Sequence, residues 1–193
     1  MIEDYNDDVK PAEIKRKFVT YNDNLHRTQT YEMLLEYCNW LNTEILTRYG
    51  FNFFSGRDID MTTEKIFSRF IDVKPPQGKI IILIINKKAA GMCRLRKLTD
   101  KIGEIDYLYI LPKFRGRGFS YKMLESVEEE AIGLGCLKLY LNTNKFNIVA
   151  NNLFKKLGFK ERERYMRYDL ITRESTQLYC EEKLYMEKIL HVE

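Results

Sequence analysis

The most constraining feature of the chain is an unbroken apolar run, Ile80–Ile85, which follows the chain-breaking residues Pro75, Pro76 and Gly78. The run is far too short to cross a bilayer, since a membrane-spanning helix needs about 20 apolar residues. A short apolar run bounded by turn residues is typical of a buried strand. We therefore predict a strand at Lys79–Ile85, in a sheet that has helices packed on it.

The order of the remaining segments predicts a mixed sheet. The chain is expected to run strand, two helices, three strands, helix, strand, helix and two strands. No repeat, low-complexity segment or linker divides it, so we expect a single domain over residues 1–193. The predicted strands are Glu13–Tyr21, Lys79–Ile85, Ala90–Leu98, Glu104–Leu111, Leu137–Leu141, Phe159–Arg167 and Gln177–Leu190.

Four segments repeat apolar residues at steps of three and four, which is the period of a helix. The first ends before Gly50, and the second has Thr62 as a candidate N-cap. The third begins at about Gly118 and ends at Gly133 or Gly135. Their apolar faces include Tyr31, Leu34, Leu35, Cys38, Leu41 and Ile45; Ile66, Phe67 and Phe70; Leu124, Val127, Ala131 and Leu134; and Val149, Leu153 and Leu157.

Composition and charge exclude several classes of protein. Hydrophobic residues make up 45% and charged residues 31%, which is an ordinary globular composition, and the net charge is only +4. The basic residues are interleaved with acids, which argues against a nucleic-acid-binding surface. The N-terminal sequence MIEDYNDD is acidic and unlike a signal peptide. We therefore expect a cytoplasmic protein that contacts neither nucleic acid nor membrane.

Histidine and cysteine usage excludes further chemistry. The chain has two histidines, His26 and His191, and no Cys-x-x-Cys pair. A zinc site and a histidine-activated nucleophile both need such residues in combination, so we expect neither, and no metal. Each cysteine is expected to be reduced and to serve as a small core residue. The four are Cys38, Cys93, Cys136 and Cys180.

The segment Leu108–Tyr121, LYILPKFRGRGFSY, carries the most chemical information. A predicted strand stops, and a loop containing Gly116 and Gly118 opens directly into a helix. Glycines let the backbone approach a ligand, and the unpaired N–H groups at a helix N-terminus attract anions. Arg115 and Arg117 add charges suited to phosphate. The segment predicts an anion site; the alternative is a tight strand-to-helix turn with solvated arginines.

Two nucleotide-binding motifs do not fit this segment. A dinucleotide fingerprint needs a third Gly or Ala at the position of Tyr121. A P-loop needs Gly-Lys-Ser/Thr after a four-residue gap, and the sequence contains no such run. Both motifs are therefore excluded.

Two linked patterns identify a known family. The pattern Arg115-x-x-Gly118-x-Ser120, after Leu-Tyr-Ile-Leu-Pro, resembles the acetyl-CoA pyrophosphate loop of the GNAT superfamily of N-acetyltransferases. Asn147-x-x-Ala150-x-x-Leu153-Phe154-x-x-x-Gly158-Phe159 is similar to its second signature. The best-matched core is 79–190. The resemblance implies an α/β GNAT fold, with a mixed, mostly antiparallel central sheet that is flanked by helices and splayed at the acetyl-CoA cleft.

The resemblance also implies which residues bind acetyl-CoA as co-substrate. Leu108 and Ile110, flanking Tyr109, would offer backbone groups to the pantetheine arm. A bulge would part this strand from the next, at Leu137–Asn142. Asn147 would bond the cofactor arm, and the backbone of the loop would wrap the pyrophosphate. The loop residues so implied are Arg115, Gly116, Arg117, Gly118, Phe119, Ser120 and Tyr121.

One departure from the family affects the mechanism. Phe154 stands where many members have the tyrosine that protonates the departing thiolate. Phenylalanine cannot donate a proton, so that role is vacant or has moved to Tyr140, Tyr165 or Tyr168. A thiol has a pKa of about 8.5, so the thiolate can leave without an acid. The departure keeps open an alternative function, a non-catalytic acyl-CoA-binding or sensing protein on the same fold.

An amine acceptor needs a base. A lysine-like amine, with a pKa of about 10.4, is neutral in only about one molecule in 2,500 at pH 7, a deficit worth about 4.6 kcal/mol. Glu104 matches a family position that often holds a catalytic glutamate, and Asp106 has the same strand parity. The sequence leaves open which of the two is the base, and whether either is instead a solvated strand end.

These expectations combine into one function. The chain is expected to be an N-acetyltransferase that moves acetyl from acetyl-CoA to a primary amine by direct attack within a ternary complex. The acceptor is a small-molecule or peptide amine, held by the aromatic loop Phe51–Asp60 and the connection Tyr165–Thr176. The protein is expected to act as a monomer or a homodimer.

Overall fold

The computed structural model describes residues 15–54, 58–165 and 181–191. Within these ranges the chain forms one sheet with helices on both faces. The strands are β1 (Arg16–Thr20), β2 (Gly78–Ile85), β3 (Lys88–Thr99), β4 (Ile102–Ile110), β5 (Lys138–Asn144), β6 (Lys160–Arg162) and β7 (Lys183–Ile189). The α-helices are α1 (Asp23–Tyr49), α2 (Ile59–Ile71), α3 (Phe119–Gly133) and α4 (Ile148–Lys156), and a 3₁₀ turn covers Pro112–Phe114.

The sheet is mixed, as predicted. Its order across the described strands is β1-β2-β3-β4-β5-β7-β6. All neighbours are antiparallel except β4 and β5, which run parallel because α3 carries the chain back between them. The observed order of elements confirms the predicted one. The ends of three predicted strands, 13–14, 166–167 and 177–180, lie outside the described residues.

The burial of β2 on both faces explains why all its central residues are apolar. Ile81 and Leu83 face a core cluster under α3, whereas Ile80 and Ile82 face a second cluster under α1 and α2. Both faces of the strand are covered, so every position is apolar and no alternation is seen. Burying each of these side chains contributes about 1.5–3 kcal/mol.

The N-cap of α2 differs from the prediction. The side chain of Asp58 accepts hydrogen bonds from the backbone N–H groups of Asp60 and Met61, at 2.7 and 3.1 Å. Thr62, the predicted cap, lies inside the helix, where its hydroxyl donates to the Asp58 carbonyl at 2.9 Å. Aspartate accepts strongly from N–H groups near a positive helix end, so the carboxylate is the better cap.

The buried face of α4 agrees with the prediction at two of its three residues. Leu157 is buried and Leu153 packs against the same cluster, whereas Val149, also expected there, is exposed. Asn147 caps the helix, so Val149 falls in the first turn, beyond the edge of the core. The apolar periodicity therefore predicted the buried face except in the first turn.

β4 contains a bulge, and beyond it the sheet parts. Tyr107 has a left-handed φ of 51°, and the register against β3 shifts between Met92 and Arg94. Pairing of β4 with β5 ends at Ile105–Leu141, although both strands continue. A bulge bends its strand and increases the local twist, so the two strands diverge from this point.

The bulged end of β4 is closely packed against β3, and Gly91 permits it. A Cβ at Gly91 would lie 2.9 Å from the Tyr109 carbonyl oxygen and would collide with the Ile110 side chain. Because this overpacks backbone against backbone, we expect Gly91→Ala to lower the free energy of unfolding by about 1–3 kcal/mol, measured by urea denaturation.

Gly133→Ala is the matched control for that measurement. Gly133 is the last residue of α3, and a Cβ there meets no atom within 4 Å. Alanine is favoured over glycine in a helix by about 1 kcal/mol, so this variant should be as stable as the parent or more so. Equal stability of Gly91→Ala and the parent would contradict the close packing described here.

Candidate functional site

The gap between β4 and β5 exposes a strand edge. The Leu111 N–H, just after β4, donates to the carbonyl of Ala90 on β3, at 3.0 Å. Backbone groups alternate in direction along a strand, so those of Leu108 and Ile110 turn toward the gap. This is the arrangement that the predicted contact with an extended ligand arm requires.

The side chain of Tyr109, between these two residues, points toward α1. It pairs with Met92 of β3, and its buried phenol donates to the Glu36 carboxylate at 2.9 Å. Burial, and secondarily this hydrogen bond, raises the pKa of Tyr109 above its usual range, so the phenol stays protonated. Its side chain therefore packs α1 onto the sheet.

The loop after β4 forms an open cradle of backbone amides. Gly116 and Gly118 both have left-handed φ angles of 74°, and Gly118 is the N-cap of α3. It has no side chain to cap the helix, and a Cβ at either glycine would meet no atom within 4 Å. The first N–H groups of this 15-residue helix therefore receive no side-chain cap, which suits a bound anion.

The two arginines of the loop differ in their settings. The Arg115 Nε donates to the Ile110 carbonyl at 2.8 Å, and its guanidinium lies 5.1 Å from the centre of the Tyr109 ring. Arg115 therefore fastens the loop to the end of β4, a role that the sequence did not reveal. Arg117 lies exposed between the two glycines.

The predicted residues at the start of α3 face in different directions. Phe119 is a core residue, so only its backbone can meet a ligand. Ser120 is half-buried, and Tyr121 is exposed. The serine hydroxyl and the tyrosine ring are thus the side chains near the helix N-terminus that solvent reaches.

Asparagines cluster at the end of β5. Asn147 caps α4, where its Oδ1 accepts from the Ala150 N–H at 3.4 Å. The amide nitrogen of Asn151 donates to the carbonyls of Asn144 and Lys145, at 3.2 and 3.1 Å. These bonds tie the first turns of α4 to the end of β5.

Three polar atoms in this cluster are buried without a hydrogen-bond partner. Within the described part of the chain they are the Nδ2 of Asn142 and the Oδ1 atoms of Asn144 and Asn151. An unmet buried polar group costs about 1–3 kcal/mol. Asn142 is the first residue of β5 beyond the last pair with β4. Unmet polar atoms beside the gap, and the open amide cradle at its end, fit a long polar ligand such as acetyl-CoA.

The Glu104 carboxylate is fully buried and fully bonded. Its exposure is 0%, and its Oε1 accepts from the Tyr165 hydroxyl at 2.8 Å. Its Oε2 accepts from Arg96 Nε at 2.7 Å. Ile105 points into the cluster under α3, so Glu104 points to the opposite face, toward α1 and α2. It is therefore not a solvated strand end.

Asp106 is held by a different arginine. Both of its oxygens accept from the Arg94 guanidinium, at 2.7 and 2.6 Å. Arg94 also donates to the Arg69 carbonyl at 2.9 Å and lies over the rings of Phe70 and Tyr107, at 5.5 and 5.0 Å. This buried bidentate pair connects α2 to the bulge of β4.

Phe154 and two of the candidate tyrosines lie on opposite faces of the sheet. Phe154 lies in the cluster under α3, edge-on to Phe159 at 5.9 Å. Tyr140 and Tyr165 lie on the opposite face, 5.1 Å apart, and Tyr165 contacts Glu104. Tyr168 lies outside the described residues. The structure thus brings one of the three candidate tyrosines into direct contact with a candidate base.

A chain of aromatic rings spans the gap on the side of α1. Tyr37 lies 5.8 Å from Tyr109 of β4 and 6.0 Å from Trp40, and Trp40 lies 6.5 Å from Phe146, just after β5. These four rings lead from one side of the gap to the other. Residues 55–57 of the first predicted acceptor segment, and residues 166–176 of the second, lie outside the described residues.

The described cysteines are core residues. Cys38, Cys93 and Cys136 are buried free thiols, and Cys180 lies outside the described residues. Burial raises the pKa of Cys38 to about 11 and also raises that of Cys136. These thiols therefore stay protonated at neutral pH and are poor nucleophiles.

Sequence reasoning missed the two arginines that hold the carboxylates. Arg94 and Arg96 alternate within β3, opposite Asp106 and Glu104 of β4. An Arg-x-Arg pair in an otherwise apolar strand, followed by Glu-x-Asp in the next, is the signal that indicates such pairing.

The described ranges contain neither a candidate metal site nor a candidate membrane span. Residues 15–54, 58–165 and 181–191 contain no group of three or more histidine, cysteine, aspartate or glutamate residues arranged to hold a metal ion. Among the helices described, none has the length and apolar character that a membrane span needs.

Solved structures of known proteins share this fold. The PaiA N-acetyltransferase of Thermoplasma acidophilum, solved with coenzyme A, has a TM-score of 0.67 at 15% identity, over 91% of this chain and 99% of that one. The spermidine N-acetyltransferase of Vibrio cholerae, solved with CoA and spermine, has a TM-score of 0.60 at 14% identity, over 91% and 95%. At these identities the likeness concerns the fold.

The sequence also matches known relatives. An uncharacterised N-acetyltransferase of Mycobacterium bovis is 28% identical over 85 residues, which are 44% of this chain and 54% of the relative. The chain thus spans about half the length of the curated relatives it matches. The model of the acetyltransferase (GNAT) family matches residues 21–159, well over half of the chain. With the predicted fold confirmed as well, the chain belongs to the GNAT family of acetyltransferases.

Proposed function

We propose that the chain is an acetyl-CoA-dependent N-acetyltransferase, which transfers acetyl to a primary amine by direct attack within a ternary complex. The carrying observation is that the gap between β4 and β5 has an open amide cradle at its far end and a buried carboxylate, Glu104, at its closed end. We propose further that residues 1–193 form one catalytic domain, which acts in the cytoplasm as a monomer or a homodimer.

Acetyl-CoA supplies the acetyl group as a thioester, whose carbonyl carbon accepts an amine nucleophile. The N–H groups from Gly116 to Ser120 would bind the pyrophosphate, since they stand at an uncapped helix N-terminus. Backbone groups of Leu108 and Ile110 would hold the pantetheine arm. Asn147 would donate from its Nδ2, because its Oδ1 is occupied by the cap of α4.

Glu104 is proposed as the base. Its side chain lies on the α1–α2 face, one residue before the last pair of β4 and β5. For an amine with a pKa of about 10.4, a base has to offset about 4.6 kcal/mol at pH 7. We favour Glu104 over Asp106, because both oxygens of Asp106 are bound by the charged Arg94, whereas one oxygen of Glu104 is bonded to a neutral hydroxyl, that of Tyr165.

The acceptor is proposed to be a small-molecule or peptide amine that enters past the rings of Tyr37, Trp40 and Phe146. A cation beside an aromatic face gains about 0.5–2 kcal/mol, so these rings favour an ammonium group before it loses its proton. The spermidine N-acetyltransferase of Vibrio cholerae, solved with spermine, supports a small amine as acceptor.

The function is tested by CoA release. The protein is incubated with acetyl-CoA and a panel of polyamines, amino acids, aminoglycosides and peptides with free amines. Release of CoA that depends on one amine, with the acetylated product identified by mass spectrometry, supports the proposal. Tight acetyl-CoA binding in isothermal titration, with no amine-dependent release, would instead support the non-catalytic acyl-CoA-binding alternative.

The loop assignment predicts the effect of Gly118→Val. A branched Cβ would occupy the open space of the amide cradle and would strain the left-handed N-cap. We expect the fold to persist, and the Kd for acetyl-CoA in isothermal titration to rise at least tenfold. The control is Gly135→Val, because Gly135 is also left-handed, with a φ of 81°, and open, but it lies beyond the other end of α3. Similar affinities in both variants would refute the loop assignment.

Phe154 is predicted to act through packing. Phe154→Leu should cost about 1–2 kcal/mol of stability, since the ring is buried against Phe159. Turnover should change less than tenfold, and Phe154→Tyr should release CoA at least as fast as the parent. Phe159→Leu provides a control for ring loss in the same cluster. A hundredfold loss of turnover in Phe154→Leu, with fold and acetyl-CoA affinity unchanged, would mean that the ring has a catalytic role.

The base assignment predicts the effect of Glu104→Gln, which keeps the shape of the side chain and removes its basicity. General base catalysis contributes about a hundred- to ten-thousandfold, so kcat at pH 7 should fall at least tenfold with acetyl-CoA affinity unchanged. Activity should recover as the pH rises toward the pKa of the amine, because free amine then needs no base.

Glu128→Gln controls for the loss of an ion pair. Glu128 is paired with Lys188 at 2.6 Å, but it lies on α3, on the other side of the sheet. This variant should keep its turnover, and melting temperatures recorded at each pH exclude unfolding. Normal turnover of Glu104→Gln at pH 7 would leave the proton to solvent or to another residue.

A further inference from the structure

We propose that Tyr165 carries the proton between the acceptor amine and Glu104. This inference rests on the proposed function, and it adds a residue that lies outside both family signatures. The phenol is placed as a catalytic residue that touches the amine, and Glu104 receives the proton through it.

Glu104 has no contact with solvent. The exposure of Glu104 is 0%, whereas Tyr165 retains 8%. One carboxylate oxygen is held by Arg96, whose side chain is 33% exposed, and the other accepts from the Tyr165 hydroxyl at 2.8 Å. Tyr165 thus keeps a small exposed fraction where Glu104 has none, and we infer that the amine reaches the phenol and not the carboxylate.

Glu104 and Tyr165 lie where β4 and β5 part. Glu104 is the register partner of Tyr140 on β5, one step before the strands part at Ile105–Leu141. The Tyr165 ring lies 5.1 Å from the Tyr140 ring, so it lies over the seam of the two strands at the closed end of the gap. Asn142, with its unmet buried Nδ2, is the next residue of β5 on the same face.

Neighbouring side chains hold the phenol of Tyr165 in one orientation. The Tyr165 ring contacts Tyr185 edge-on at 5.4 Å, and the Arg162 guanidinium lies 5.5 Å from it. Arg162 is in turn fixed by Glu187, at 3.0 Å. A proton carrier has to keep both of its bonds short, and packing from several sides meets that need.

The proton balance is simple. A proton of the bound ammonium passes to the Tyr165 oxygen while the phenol proton passes to Glu104 Oε1, which leaves a neutral amine. Because the two transfers are coupled, the phenol ends protonated, and Glu104 returns its proton to solvent. The amine nitrogen then forms a bond to the acetyl carbon, and the carbon–sulfur bond breaks with its electron pair left on sulfur. The second proton on nitrogen passes to solvent, and solvent protonates the departed thiolate, whose thiol has a pKa of about 8.5.

The test combines Tyr165→Phe, Glu104→Gln and the double variant. Each single variant should lower kcat at pH 7 at least tenfold, with acetyl-CoA affinity unchanged and recovery at high pH. The kcat of the double variant should lie no more than about twofold below that of the less active single variant, since the two residues act on one proton. Tyr185→Phe, which removes a hydroxyl from the neighbouring ring, should stay within about threefold of the parent.

A solvent isotope measurement separates transfer from packing. In mixtures of H₂O and D₂O, the kcat of the parent should follow a curved dependence on deuterium fraction, as two moving protons require. A linear dependence in the parent would overturn the relay even if Tyr165→Phe failed to fold. Near-normal turnover of Tyr165→Phe, or a double variant at the product of the two losses, would also overturn it.

Failure of the relay is distinguishable from failure of the function. If the parent binds acetyl-CoA but acetylates none of the amines, the proposed function falls and the relay falls with it. If the parent is active and Glu104→Gln is impaired while Tyr165→Phe is not, the base assignment stands and the relay alone is wrong.

Discussion

The structure depends on one interruption of a hydrogen-bond ladder, the bulge in β4. Tyr107 takes a left-handed φ there, a conformation that costs about 1–3 kcal/mol in a residue other than glycine. The buried pair of Arg94 and Asp106 holds the strand in this form, and Arg94 is tied to α2 through the Arg69 carbonyl. Removing one partner of such a pair would cost about 3–5 kcal/mol, because the other charge would be left buried and unpaired. Helix α2 is thereby connected to the place where the sheet opens.

Periodicity predicted the elements, and polar contacts decided their ends. The apolar run of β2 and the repeats of the helices were sufficient for the order of the fold. The cap of α2 was misplaced because Asp58 and Thr62 are both acceptable caps, and only the local backbone distinguishes them. Val149 of α4 was misplaced because it lies in the first turn of the helix, beyond the edge of the core. Local chemistry therefore limits what a pattern can show.

The candidate site, too, could be predicted from the sequence only in part. The glycine loop is contiguous in sequence, so its cradle could be predicted from the positions of Gly116 and Gly118. The bonds of Glu104 are not contiguous: Arg96 lies eight residues away and Tyr165 lies 61 residues away. Such contacts depend on strand register and on the return of the chain, which a single sequence does not reveal. The orphaned asparagine atoms are likewise visible only once burial is known.

The bond from Arg115 to the Ile110 carbonyl also sets the polarity of the cleft wall. It occupies one of the few acceptors on the strand edge, at 2.8 Å, and leaves the N–H of the same residue facing the gap. Together with the amides at the start of α3, the wall near the loop offers mainly donors. A ligand rich in carbonyl and phosphate oxygens satisfies such a wall, whereas one rich in N–H groups would leave polar atoms unpaired. In the proposed complex with acetyl-CoA, Arg115 thus favours an oxygen-rich ligand through the acceptor that it occupies.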